Sequence, residues 1–162
     1  MSQVLRIAIT LALILLISAG ASVTAAFADI NLSKGQTVFV PAHSFVYVGN
    51  EPNKINLALT LTVRNTDPAH EISVRFIDYH DQDGRLIRAF LPAPQQLKPL
   101  AAMHIFIQEK DVSGGYAPSF LVQWRAAKAV NQPIIESVEV ATKSGQGITL
   151  VNKGQPINHP FR

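Results

Sequence analysis

The chain contains no cysteine. That single absence removes disulfides, thiolate metal sites, thiol nucleophiles and redox switching together. It also removes the acylated cysteine of a lipoprotein export signal. Helical signal is nearly missing too. Residues 126–130, Ala-Ala-Lys-Ala-Val, are the one stretch of helix-like composition, and five residues are too few for a helix to stand alone. No basic cluster exists. Beyond Arg6 the 13 lysines and arginines are scattered along the chain against 11 acids, a net charge of +2. Such a spread lacks the footprint that releases counterions from phosphates, so nucleic acid is excluded as an expected partner. No Gly-x-Ser-x-Gly elbow occurs, and Gly114-Gly115 lacks the lysine and following helix of a phosphate cradle. No histidine pair falls at metal-ligand spacing among His43, His70, His80, His104 and His159.

What is present begins at the N-terminus. Arg6 precedes an uncharged apolar run over 7–17, and small residues fill 18–28 up to Ala26-Phe27-Ala28. A positive start, an apolar centre and an A-x-A end predict a signal peptide over 1–28, cut before Asp29. The expected product is a periplasmic or extracellular protein of about 134 residues. The alternative is an uncleaved helix anchoring the chain, since 7–28 is long enough to cross a bilayer. Membrane contact is expected only in that case. A body of this length is one domain and buries a core without disulfides.

After the signal, the pattern has period two. Ile55, Leu57, Leu59, Leu61 and Val63 alternate with Asn56, Ala58, Thr60, Thr62 and Arg64, which predicts a strand with one face on a core. Asn65-Thr66-Asp67-Pro68 follows as turn chemistry, because Asn and Asp fold back onto nearby backbone. Over 71–79 the inward set Ile72, Val74, Phe76 gives way to Ile77 and Tyr79, and this change of parity predicts a bulge or a strand covered on both faces. Asp81-Gln82-Asp83-Gly84 predicts a hairpin returning over 85–90. Proline-rich residues 91–102 read as a long connection crossing between sheets. Strands are also expected at 36–40, 44–48, 104–109, 119–126, 134–142 and 147–152.

The expectation is an all-β, single antiparallel immunoglobulin-like sandwich of about eight or nine strands over 29–154, with a loose tail over 155–162. Its core is expected from the Ile55–Val63 face with Ile72, Val74, Phe76, Ile105, Ile107, Phe120, Val122, Trp124, Val138, Val140, Ile148 and Leu150.

Several segments resemble a known family. They are Gly35-Gln36-Thr37-Val38-Phe39-Val40-Pro41, Leu59-Thr60-Leu61-Thr62-Val63-Arg64-Asn65-Thr66-Asp67, Asp111 with Gly114-Gly115, Phe120-Leu121-Val122-Gln123-Trp124, Pro133-Ile134-Ile135-Glu136 and Gln146-Gly147-Ile148. Together, over 34 to about 154, they resemble the bacterial exported family called domain of unknown function 3124. The resemblance implies export and no particular activity. One departure is Ala117-Pro118-Ser119-Phe120, where the family pattern suggests Gly-Ala-Asn-Phe after the double glycine. Residues 57–86 resemble, in architecture alone, the water-stress and late-embryogenesis β-sandwich domains.

Candidate sites are few. Asp81-x-Asp83-Gly84 resembles part of a calcium loop in composition, but an EF-hand would need an acid or amide where Tyr79 stands and a glutamate where Phe90 stands. Asp81 and Asp83 therefore read as turn residues first and metal ligands second. No cofactor is expected, and no catalytic residue is assigned. Tyr116, with Gly114 and Gly115 before it, stands in a loop ahead of Pro118 and reads as a contact residue. The leading expectation is a non-catalytic exported domain binding a protein or envelope component. An enzyme assembled by the fold from Asp78, His80, Asp81 and Asp83, or a stress-protective envelope protein, are the alternatives.

Overall fold

The computed structural model describes residues 31–143 and 145–158. The expected signal segment lies outside the described residues. Among them every regular element is a strand, which follows from the period-two patterning. The strands are β1 (Leu32–Pro41), β2 (Phe45–Val48), β3 (Asn53–Asn56), β4 (Ala58–Arg64), β5 (Ile72–His80) and β6 (Leu86–Ala89). They continue as β7 (Gln95–Leu97), β8 (Ala102–Ile107), β9 (Ser119–Asn131), β10 (Ile134–Lys143), β11 (Gln146–Lys153) and β12 (Gln155–Ile157).

Two antiparallel sheets form a sandwich of the immunoglobulin-like kind. One runs β12-β1-β9-β5-β6 with β7 also on β5, the other β11-β10-β4-β8, and β2-β3 is a separate hairpin. Among the described residues twelve strands stand where about nine were expected, because three short ones had no clear signal. The run 55–64 divides at Leu57, whose N–H leaves the ladder to donate to Ser44 O at 2.9 Å. Gln95–Leu97 is a strand on β5 inside the expected crossover. Gln155–Ile157, expected in the loose tail, pairs with Thr37–Phe39 of β1.

Between the sheets Val40, Leu61, Ile72, Ile77, Phe120 and Trp124 are sealed from solvent. Full burial of side chains of this size contributes about 1.5–3 kcal/mol each. Ile55, Leu57 and Ala141 form a second, smaller cluster under the β2-β3 hairpin. The expected parity change in β5 is a register shift between Val74 and Phe76. Its result is that Ile77, Asp78 and Tyr79 are all buried.

Three expectations are corrected. The strand expected over 119–126 does not stop there: β9 runs on to Asn131, where Asn131 and Val130 pair with Leu32 and Ser33 of β1. Ladder partners from a neighbouring strand outweigh a helical tendency five residues long. Phe76, Ile105, Ile148 and Leu150 are half-buried rather than core. The parity of β10 is reversed. Val138 is half-buried and Val140 is 45% exposed, while Ile135, Ser137, Glu139 and Ala141 face inward. The register decides this, because Ile135, Ser137 and Glu139 stand opposite Val63, Leu61 and Leu59 of β4. Residues directly opposite share a face.

Candidate functional site

The inward polar groups of β10 are satisfied. Glu139 Oε1 accepts from the Ser137 hydroxyl at 2.8 Å and from the His43 N–H at 3.4 Å, and Oε2 accepts from Asn152 Nδ2 at 3.0 Å. Burial pushes the Glu139 carboxyl above its ordinary pKa despite these donors. His43 leads from this buried carboxyl to the surface. Its ring meets Tyr116 edge-on, with centroids 5.6 Å apart.

Tyr116 is 43% exposed. Its loop is held from two sides. Gln82 of the β5–β6 turn receives the Tyr116 N–H on Oε1 at 2.9 Å and gives its own N–H to Gly114 O at 3.0 Å. From the other side Ser44 N–H reaches Tyr116 O at 3.4 Å, and Ala42 N–H reaches Pro118 O at 3.0 Å. The two glycines serve this placement. A Cβ on Gly114 would collide with the Tyr79 hydroxyl, and Gly115 has φ 73° with Gln82 closing over it. Gly114 is buried, so it positions Tyr116 rather than presenting a surface of its own. At the loop's start Asp111 accepts from the Ser113 hydroxyl and N–H and pairs with Arg88 at 3.2 Å, which together hold its carboxyl below the usual range.

Tyr116 does not stand alone. Tyr47 lies nearly parallel to it, centroids 6.0 Å apart at 16°. Phe45 is 5.5 Å from each of them at steep angles, 79° to Tyr47 and 64° to Tyr116. Phe45 and Tyr47 share one face of β2 because they are two residues apart. Their cross-strand partners on β3 are Asn56 and Lys54. The Lys54 ammonium sits 3.9 Å from the centre of the Phe45 ring. Tyr47 is 54% exposed. The result is an aromatic platform built from a hairpin and a distant loop, with two hydroxyls at its edge and one ammonium over the Phe45 ring.

Sequence reasoning singled out Tyr116 and passed over Phe45, Tyr47, His43 and Lys54, which the structure places beside it. The signal was there in Phe45-Val46-Tyr47, two aromatics at period two in a strand too short to need both for packing.

The other candidates take structural places. Asp81 Oδ1 accepts the N–H groups of Asp83 and Arg85 at 2.9 and 2.8 Å, which closes the hairpin. Asp83 lies 3.9 Å from Arg85 in an exposed ion pair. Asp78 is buried within β5, and His80 ends that strand opposite Leu86 and Ser119. Among the described residues no group of three or more His, Asp or Glu side chains is placed to hold a metal ion. Away from these, Asn65 and Asp67 form a buried knot. Asn65 Nδ2 donates to the carbonyls of His70, Leu97 and Lys98, and Asp67 Oδ1 receives the N–H groups of Ala69 and His70.

Residues 35–157 match the family described as "Protein of unknown function (DUF3124)". No curated protein matches the sequence. Among solved structures, the crystal structure of Thermotoga maritima 1070 is similar at a TM-score of 0.42 and 9% identity, covering 74% of this chain and 92% of that one.

Proposed function

The chain belongs to the family of proteins of unknown function DUF3124, and from its surface we propose an exported, non-catalytic β-sandwich that binds another component of the cell envelope. The observation that carries this reading is the platform of Phe45, Tyr47 and Tyr116. Two tyrosines remain about half exposed although each already touches other rings. Aromatics held this way on a braced loop and hairpin supply contact area at small entropic cost. Export rests on the charged, apolar and small-residue zones of 1–28.

Co-sedimentation of the full chain with isolated envelope fractions tests the binding. Wild type sediments with the fraction and Tyr116→Ala does not. Sedimentation unaffected by that change, or robust turnover of a substrate without any partner, overturns the proposal. N-terminal sequencing of the exported form should begin Asp29-Ile30-Asn31. A start at Met1 or Ser2 in the membrane fraction selects the anchored form instead.

A further inference from the structure

We infer that the ligand of the aromatic platform is a saccharide chain of low net charge; this rests on the binding role proposed above. The first support is what the platform offers. Tyr47 and Tyr116 stack with centroids 6.0 Å apart, which leaves the outer ring face and the hydroxyl edge for a ligand. A pyranose has the same division, an apolar C–H face bounded by hydroxyls, and a tyrosine ring with one apolar and one wet end complements it.

Size favours the same ligand. A stable protein interface needs about 800 Å² from each partner. A whole buried aromatic side chain supplies about 150–250 Å². Three rings that are already partly covered fall well short of a protein interface and suit one or two sugar rings. The exposed aliphatics Ile134 and Leu100 lie at the far end of β4, Ile134 opposite Arg64 and Leu100 with its N–H on Asp67 O.

Charge narrows the class. The Lys54 ammonium lies 3.9 Å from the centre of the Phe45 ring and repels a second cation beside it. Beginning at Lys54 and Asn56, a groove of about 450 Å³ continues past Ile55, Glu109 and Thr142. That volume falls in the range of small-ligand sites. Its polar lining combines an ammonium, an amide, a hydroxyl and a carboxylate. Such a set pairs with neighbouring hydroxyls, each both donor and acceptor, and Glu109 opposes a polyanion. A sugar stacked on the tyrosines thus has polar partners within the adjoining groove.

The test applies the full chain, in a detergent without a sugar headgroup, to immobilised oligosaccharides of the neutral hexose, acetamidohexose and uronic acid series. Retention on a neutral or acetamido series is expected. Tyr116→Ala and Tyr47→Ala should each weaken it by about tenfold or more, as loss of a central aromatic contact does. Tyr116→Phe, which keeps the ring and its packing, should stay within about threefold. Glu109→Ala, away from the rings, should weaken retention while leaving the melting curve in place. Retention that survives both alanine changes overturns the inference, and so does retention on the uronic series alone. Silence on every series, with Tyr116-dependent sedimentation on envelope fractions intact, overturns the saccharide and leaves the platform reading standing with a protein partner. Silence in both assays overturns both. Trp124 is fully buried, so binding should be followed by the near-ultraviolet signal of the tyrosines.

Discussion

Asn65→Ala should be among the most damaging polar substitutions in the domain. The side chain is 2% exposed and acts as a buried joint between β4 and the connections around it. Its Nδ2 reaches three carbonyls, those of His70 at 2.8 Å, Leu97 at 3.2 Å and Lys98 at 3.0 Å, and its Oδ1 accepts the Asp67 N–H at 3.0 Å. Alanine removes both the donors and the acceptor. The His70 and Lys98 carbonyls lie where water can reach them, so their loss is partly compensated. Leu97 O and Asp67 N are in the buried pairings, and each buried group left unmade costs about 1–3 kcal/mol. The sum is a destabilisation of about 2–6 kcal/mol. At about 3–5 °C per kcal/mol for a domain of this size, the melting temperature should fall by roughly 6–30 °C. Urea unfolding followed by Trp124 fluorescence gives the free energy, with Thr66→Ala as the comparison. Thr66 makes one hydrogen bond, to Gln132 O at 2.8 Å, in a part-buried setting, and its loss should cost about 1 kcal/mol. Equal effects of the two changes, or an Asn65→Ala loss under about 1 kcal/mol, would refute the argument that burial multiplies the cost.

Two carboxyls should shape the acid limb in opposite senses. Asp67 is held at about 2 from an ordinary 3.8, chiefly by the Ala69 N–H and further by those of Asn131 and His70, so its contribution is present above pH 3.8 and is lost as pH falls toward 2; Asp67→Asn should flatten that loss in acid unfolding curves. Glu139 is raised above 4.5 by burial, so its contribution is complete below pH 4.5 and is lost as pH rises through its folded value. Glu139→Gln should therefore remove a fall in stability on the alkaline side of 4.5, and an unchanged pH profile would contradict the burial. Leu61→Ala should cost about 2–5 kcal/mol by leaving a cavity between the sheets, and Thr62→Ala, half-buried on the outer face, under about 1 kcal/mol; equal costs in chemical denaturation would reverse the face assignment of β4. Leu100 has φ 59° and is 70% exposed, so Leu100→Gly should relieve a left-handed strain of about 1–2 kcal/mol against a smaller entropic loss, and thermal melting should show no destabilisation.

The strands that sequence reasoning placed well are those with one dry face and clear punctuation. In β4, Leu59, Leu61 and Val63 went inward as the alternation required, and Asn65 with Asp67 folded back onto the backbone as turn residues do. The parity change in β5 was legible because a bulge leaves a mark in the residue order itself. The short strands β7 and β12 left no such mark. Three residues of Gln-Gln-Leu or Gln-Pro-Ile carry no period, and they are strands because β5 and β1 offer them free ladder groups.

β10 misled the reading for a reason that bears on the site. Val138 and Val140 look like core positions, and Ser137 and Glu139 look like solvent positions. Hydrophobicity alone assigns the face wrongly, because it assumes that a buried carboxyl has no partners. Here the partners are Ser137 two residues earlier, Asn152 on the neighbouring strand β11 and the remote His43 N–H, all closing on Glu139, and alternation of apolar residues does not announce them. The platform was half-hidden in the same way. Tyr116 stood out by its glycines, whereas Phe45 and Tyr47 passed as one more short strand. They became a site only when the loop over 111–118, pinned by Gln82 and Ser44, brought Tyr116 against them. Glu139 and the platform meet at His43, whose backbone serves the buried carboxyl while its ring supports Tyr116. A residue so placed links the inverted strand to the exposed aromatics. That link supplies a reason for β10 to carry its polar residues inward: they fix the segment on which the platform is built.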